Sequence, residues 1–336
     1  MSHSKITTRL VCHASVPTHL ANTNHFYLQE SYTPMIQFLS TQTPPIPFSF
    51  GEVGCGPGGI PNNGSYDERS FGAALWQVDF MLYSMTLNVS RVHIQSGYGF
   101  DFSLWQPSEF DYTPAAVYAN YYAHLYVADF ISTSGAMQAM ELPVSPTSDT
   151  LTAYAAYEHG NIQRVALVNM DYFDGTSTSS SDRPSQTFSI AVPSSVHSVT
   201  VRTLTGGDDG AMAFDTANIT WGGESFSLDQ DGVGQMVAMA NSTVQAQNGQ
   251  VNVVVPASEA AMVYFGAVNS TADGNSTSTT SSGMPGPTAN GDNGPTGTSG
   301  SKPTSTHKGA ASGVRVEGQF LALTAMICII SFGVLL

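Results

Sequence analysis

Glu52 is the first residue of the chain placed to do chemistry. It follows a short apolar segment, "PFSFG" at residues 47–51, and precedes a loop at 53–63 in which glycine and proline recur. A strand holds a carboxylate rigidly at its tip, and glycines after it let the backbone turn away so that a ligand can approach. A second polar set lies further along. His93 and Gln95 alternate within "RVHIQ" (residues 91–95) and so share one face of an extended segment, and Tyr98 and Trp105 follow in the next loop. A carboxylate can attack or carry a proton, imidazole and amide groups can hydrogen-bond hydroxyls, and aromatic rings can stack on a sugar. Each also has a plainer reading. Glu52 could be a solvated strand end, His93 and Gln95 could be sheet packing, and Tyr98 and Trp105 could be ordinary loop aromatics.

These groups need strands to hold them, and the hydrophobic pattern supplies two. The segment at 47–51 predicts a strand with Phe48, Phe50 and Glu52 on one side and Ser49 and Gly51 on the other, so that Glu52 stands where the strand stops. Ser65 and Glu68 have the spacing of a helix capping box. Apolar residues at Phe71, Ala74, Leu75, Val78, Met81, Leu82 and Met85 then predict a helix over about 68–87 with one buried face. With a strand at 91–95 this makes a parallel βαβ unit, and a further helix over 114–132, with Pro114 in its first turn, completes a second β/α pair. Two such units cannot cover both faces of their own ribbon. They are expected to be the C-terminal portion of a (β/α)8 barrel, whose catalytic groups sit at the C-terminal tips of its strands.

Past Gly135 the pattern changes to short β-rich runs such as "LTAYAAYE", "RVALVNMD" and "QVNVVVP", punctuated by turn residues, which predict an antiparallel β-sandwich over 136–268. The organisation expected is therefore a partial barrel at 1–135, a sandwich at 136–268, a Ser/Thr/Gly/Pro-rich stalk at 269–308 and an anchor signal with a hydrophobic tail at 309–336. Residues at about 11–30 show no clear period and read as an insert foreign to the fold, and His25 is set aside with them. The tyrosines of "YANYYAHLY" have helical spacing and read as packing surface, while Trp221 reads as sandwich core or a strand-end cap.

Composition excludes some partners. Among 336 residues, 25 acids against 10 bases give a formal charge of −15, which repels phosphate backbones and argues against nucleic acid. Cys12, Cys55 and Cys328 make no disulfide framework and no metal spacing. Small residues at 309–313, a polar spacer and an uncharged apolar run at 320–336 have the order of a glycosylphosphatidylinositol (GPI) anchor signal, with a tail-anchored helix as the alternative. Sequons at Asn63, Asn88, Asn218, Asn241, Asn269 and Asn275 agree with a secreted, cell-surface glycoprotein. The opening "MSHSKITTRL" has no apolar signal region, so the chain reads as the C-terminal part of something longer.

Four runs, "SHSKITTRL", "IPFSFGEVG", "RVHIQSGYGFDFSLWQP" and "NITWGGESF", occur in this order over about 2–268. Together they resemble fungal members of glycoside hydrolase family 79, the β-glucuronidase and heparanase-like enzymes. The resemblance implies a (β/α)8 barrel with two glutamates and a β-sandwich beside it. It implies that Glu52 matches the nucleophile, at the end of the seventh strand. The family's acid/base glutamate follows an Asn at the end of the fourth strand; this chain has no Asn-Glu dipeptide, so that partner is expected to be absent. Retaining hydrolysis needs two carboxyl groups about 5–5.5 Å apart. The expectation is a fragment of a secreted retaining glycosidase, inactive as written, whose parent cleaves a β-glycosidic bond beside glucuronic acid in a glucuronide-containing glycan without a cofactor. The rival is a non-catalytic, GPI-anchored β-sandwich that binds cell-wall polysaccharide.

Overall fold

The computed structural model describes residues 24–54, 69–100, 103–110, 114–214 and 218–266, together with the backbone of 330–333. The expectations placed on Cys12, Cys55, Asn63, Asn269 and Asn275, on the Ser65–Glu68 capping box, on the stalk and, apart from the backbone of 330–333, on the anchor signal lie outside the described residues. The chain is mostly β-sheet with few helices. Helix α1 (Asn24–Ser40) leads into strand β1 (Ser49–Val53), which pairs in parallel with β2 (Arg91–Ile94). Parallel neighbours need a crossover, and α2 (Phe71–Thr86) provides it.

α2 is buried on all sides, from Phe71 through Ser84. This corrects the expectation of a single buried face. The helix lies between the β1–β2 ribbon and a large sheet, so the 3.6-residue period marks only its bulkiest side chains. Its N-cap is Ser70, whose Oγ accepts a hydrogen bond from the Ala73 amide at 3.4 Å. At the other end Asn88 takes a left-handed φ of 64°, a conformation that asparagine tolerates after a helix.

After β2 come β3 (Trp105–Gln106) and β4 (Ala116–Val117), which pair with each other, and then α3 (Ala119–Ile131). The helix expected from 114 begins later because residues 116–117 are taken by that pairing. Tyr118, Tyr122 and Tyr126 are buried, as helical spacing implied, and the Tyr126 hydroxyl donates to the Ala261 carbonyl at 2.8 Å. Near the end of the helix, Asp129 Oδ2 accepts from Arg202 at 2.7 Å, from Trp221 Nε1 at 2.9 Å and from the Tyr264 hydroxyl at 3.2 Å. Trp221 is thus a buried anchor for α3.

The remaining strands are β5 (Met137–Glu141), β6 (Val144–Ser145), β7 (Leu151–Glu158), β8 (Asn161–Asn169), β9 (Ser185–Ala191), β10 (Ser198–Thr205), β11 (Thr220–Trp221), β12 (Glu224–Ser225), β13 (Gln235–Met236), β14 (Ser242–Gln245), β15 (Gln250–Pro256), β16 (Glu259–Tyr264) and β17 (Ile330–Gly333). The large sheet runs β13-β12-β11-β10-β16-β8-β7-β5, with β14 also on β10, and a smaller one runs β15-β9-β17-β6. Phe188, Ile190, Val251 and Val253 of the smaller sheet share a core with Ala153, Ala155, Val165, Leu167 and Val263 of the large one. Intervening residues, Tyr154, Ala156, Ala166, Val168 and Met262, belong instead to the core built on α2 and α3. The large sheet is therefore covered on both faces. This is why β16 buries all of "EAAMVY" rather than alternate positions. Among the described residues no helix is long and apolar enough to cross a membrane.

Candidate active site on the parallel ribbon

One face of the ribbon is packed and the other is open. On the packed face Phe48, Phe50 and Val53 are buried, with Phe50 edge-on to Tyr32 of α1 at 5.0 Å and tilted against Phe80 of α2 at 5.5 Å. Phe50 and Val53 are three residues apart and could not share a face in a strictly alternating strand. The register slips between them: Phe50 lies opposite Val92 and Val53 opposite Ile94. That irregularity leaves Gly51 and Glu52 together on the open side.

Glu52 is therefore exposed on the opposite side from Phe48 and Phe50, which corrects the expected strand geometry. Regular alternation would have driven its carboxylate into the aromatic cluster, where an unpaired charge costs several kcal/mol. The strand itself ends at Val53 rather than at Gly51, so Glu52 is its penultimate residue.

β2 keeps the simple alternation. Arg91 and His93 are exposed, while Val92 and Ile94 are half-buried. Glu52 and His93 thus share the open face. Gln95 lies just past the strand, and its amide donates to the Val53 carbonyl at 2.7 Å, which extends the pairing beyond His93.

Tyr98 sits in the following loop and Trp105 opens β3, rather than lying in the loop as expected, and both are half-exposed, at 52% and 51%. The Tyr98 hydroxyl donates to the Glu109 carbonyl at 2.6 Å and accepts from Ser108 Oγ at 3.2 Å, and its ring meets Phe110 edge-on at 4.7 Å. What Tyr98 offers a ligand is its ring, because its hydroxyl is engaged within the loop. Trp105 packs edge-on to Tyr121 at 6.4 Å. Ser103 Oγ bonds both the amide and the carbonyl of Gly97, at 3.0 and 2.8 Å, while Gln106 Oε1 accepts from the Gly99 amide at 3.0 Å. Gly99 has φ +80°, and a Cβ there would lie 2.3 Å from the Phe110 ring, so only glycine fits.

His25 is the residue that sequence reasoning set aside and the structure puts to use. It lies in the first turn of α1, is 9% exposed, and pairs with Asp79 of α2 at 2.8 Å. Residues 24–30 of the suspected insert are thus helix, with Leu28 fully buried. No periodicity signalled this, because both of the carboxylates His25 meets, Asp79 and Glu141, are remote in sequence. A cleft of about 450 Å³ is lined by Glu141, Leu142, Pro143, Ser148 and Thr152 among others, none of them from β1 or β2. Among the described residues no group of three or more His, Cys, Asp and Glu could hold a metal. Of the sequons, Asn88 and Asn218 are exposed and Asn241 is half-buried.

Residues 153–262 match the glycosyl hydrolase family 79 C-terminal beta domain. The chain is 33% identical over 241 residues to a β-glucuronidase of Aspergillus niger, covering 66% of this chain and 42% of that protein. It is 28% identical over 299 residues to a β-glucuronidase of Neurospora crassa, covering 75% of this chain and 49% of that one. It therefore spans about half the length, or less, of these curated relatives. Among solved structures it is similar to a 4-O-α-L-rhamnosyl-β-D-glucuronidase from Fusarium oxysporum, with a TM-score of 0.57 at 20% identity, over 75% of this chain and 50% of that one. At that identity the likeness bears on the fold.

Proposed function

Because this chain carries the C-terminal β domain of glycosyl hydrolase family 79, we propose that it is the C-terminal part of a retaining glycosidase of the glucuronidase type, with Glu52 as nucleophile. In this reading the β1–β2 ribbon is the last part of a (β/α)8 barrel, the two facing sheets are the sandwich beside it, and the open face of the ribbon lines the sugar-cleaving bowl. The observation that carries it is the irregularity in β1, which turns Glu52 away from the helix-packed side at the C-terminal end of a parallel strand. In a (β/α)8 barrel that is where catalytic side chains stand, since helices cover the outside of the strands. His93, Gln95 and the rings of Tyr98 and Trp105 are the substrate-binding groups, and the substrate is a glucuronide-containing glycan. The sequons and tail pattern support a secreted, lipid-anchored protein.

In the proposed step the Glu52 carboxylate attacks the anomeric carbon while the bond to the leaving oxygen breaks, giving a glycosyl ester. A general acid that protonates the leaving oxygen contributes about 10²–10⁴-fold, and we assign that role to no residue of this chain. This suggests a test that needs no acid. The aglycone of dinitrophenyl β-glucuronide departs as a stable phenolate, so the purified protein should gain one glucuronyl unit at Glu52 by mass spectrometry, and Glu52→Gln should not. Labelling elsewhere, or none, sinks the assignment. Retention on cell-wall polysaccharide without labelling would select the non-catalytic surface protein.

A further inference from the structure

We propose that His25, Asp79 and Glu141 form a charged latch that holds α1 against the large sheet, and that alkali opens it, loosening β1 along with the helix. His25 is the positioning residue. Its polar and ring partners among the described residues lie on α2, β5 and β7, and it acts on β1 through α1.

The geometry requires a cation at His25. Nε2 lies 2.8 Å from Asp79 Oδ2 and Nδ1 lies 3.3 Å from Glu141 Oε1, and only imidazolium donates from both nitrogens. The ring also lies flat on Tyr83, with centroids 3.7 Å apart and planes 2° from parallel, an arrangement that favours a cation over an aromatic face. The second Asp79 oxygen, Oδ1, accepts from Thr152 Oγ1 at 2.8 Å and from the Tyr154 hydroxyl at 2.6 Å. The latch thus joins α1 to α2, β5 and β7.

His25, Leu28, Tyr32 and Ile36 recur at helical spacing and are all buried, so one face of α1 carries the latch at one end and Tyr32 further along. Tyr32 in turn packs against Phe48 at 5.8 Å and Phe50 at 5.0 Å, which form the closed side of β1 opposite Glu52. Unlatching α1 withdraws the support of the strand that presents Glu52.

The titratable groups facing His25 are Asp79 and Tyr83 from α2, Glu141 from β5 and Tyr154 from β7. Burial alone would lower the His25 pKa, but the charge and hydrogen bond of Asp79, aided by Glu141, outweigh it and lift it to about 9. Burial and the same two carboxylates push Tyr83 up to about 12, and burial with Asp79 takes Tyr154 well above its usual value, so neither tyrosine titrates in this window. A histidine raised in the folded state stabilises fully below its ordinary value of 6.5 and loses that contribution as pH climbs through about 9.

Hydrogen exchange between about pH 6.5 and pH 10, corrected for intrinsic rates, tests this without reference to catalysis, so its outcome is independent of the glycosidase reading. Peptides from α1 and from 48–53 should lose protection together, by about tenfold per pH unit between about pH 6.5 and 9 and levelling off once His25 is deprotonated in the folded protein, while β8 and β16 hold. The His25→Gln, Asp79→Asn double variant, neutral but still able to hydrogen-bond, should show no such pH dependence. If it fails to fold, Glu141→Gln must move the midpoint of loosening to lower pH. Constant protection in the wild type, loosening of α1 without 48–53, or an unmoved midpoint in the variants overturns the proposal.

Discussion

In the large sheet, β16 buries all of its residues, whereas β1 in the ribbon buries only Phe50 and Val53 of its five. Both strands contribute side chains to the core built on the helices, Phe50 and Val53 from β1 and Ala260 and Met262 from β16. The difference is what stands on the far side: the smaller sheet in one case, open space in the other. The doubly covered sheet reads as small and apolar residues in succession, Ala260, Ala261, Met262 and Val263, because each side chain meets a partner layer. The ribbon leaves Ser49, Glu52, Arg91 and His93 unlayered, which is affordable only for groups that water or a ligand can solvate. Stability is concentrated on the covered side and chemistry on the uncovered one.

That contrast can be broken from either side. The largest effect is expected from Asp79→Ala, which leaves His25, Thr152 and Tyr154 without their shared buried acceptor and should cost about 3–5 kcal/mol in urea unfolding near neutral pH. A loss under about 1 kcal/mol would mean that the pair adds little to the covered side. Next, Leu167→Ala opens a cavity between the two sheets at a fully buried position and should cost about 2–5 kcal/mol, read as a lower denaturant midpoint at unchanged slope. The smallest effect is expected from Glu52→Gln, an exposed change on the open face, which should leave stability within about 0.5 kcal/mol of wild type while abolishing glucuronyl labelling. Marked destabilisation by that substitution would show that the carboxylate has a structural role and would remove the distinction between the two regions.

The sequence made the order of elements around the site legible. Period and punctuation are local signals, and they predicted β1, α2 and β2 in sequence with no bound off by more than three residues. It did not reveal which way Glu52 points. A register slip belongs to a pair of strands, and the 48-50-52 alternation contains no trace of the partner's demand that Val53 face Ile94. His25 was illegible for a related reason: its ring is held by Asp79, Glu141 and Tyr83, which no local window contains. The all-round burial of α2 was likewise hidden, because Gln77 and Asp79 read as solvent-facing polar positions until their partners are known. Gln77 is bonded to His124 at 2.9 Å and Asp79 to the latch.

The encasement of α2 also bears on where the polypeptide can be divided. A cut near Gly135 separates the two patterns in the sequence, yet it would strip the helices from Tyr154, Ala166, Val168 and Met262 and leave that flank of the large sheet bare. A shortened polypeptide beginning at 136 should therefore self-associate through the bared flank. The minimal soluble piece should have to retain α2 and α3 as its lining.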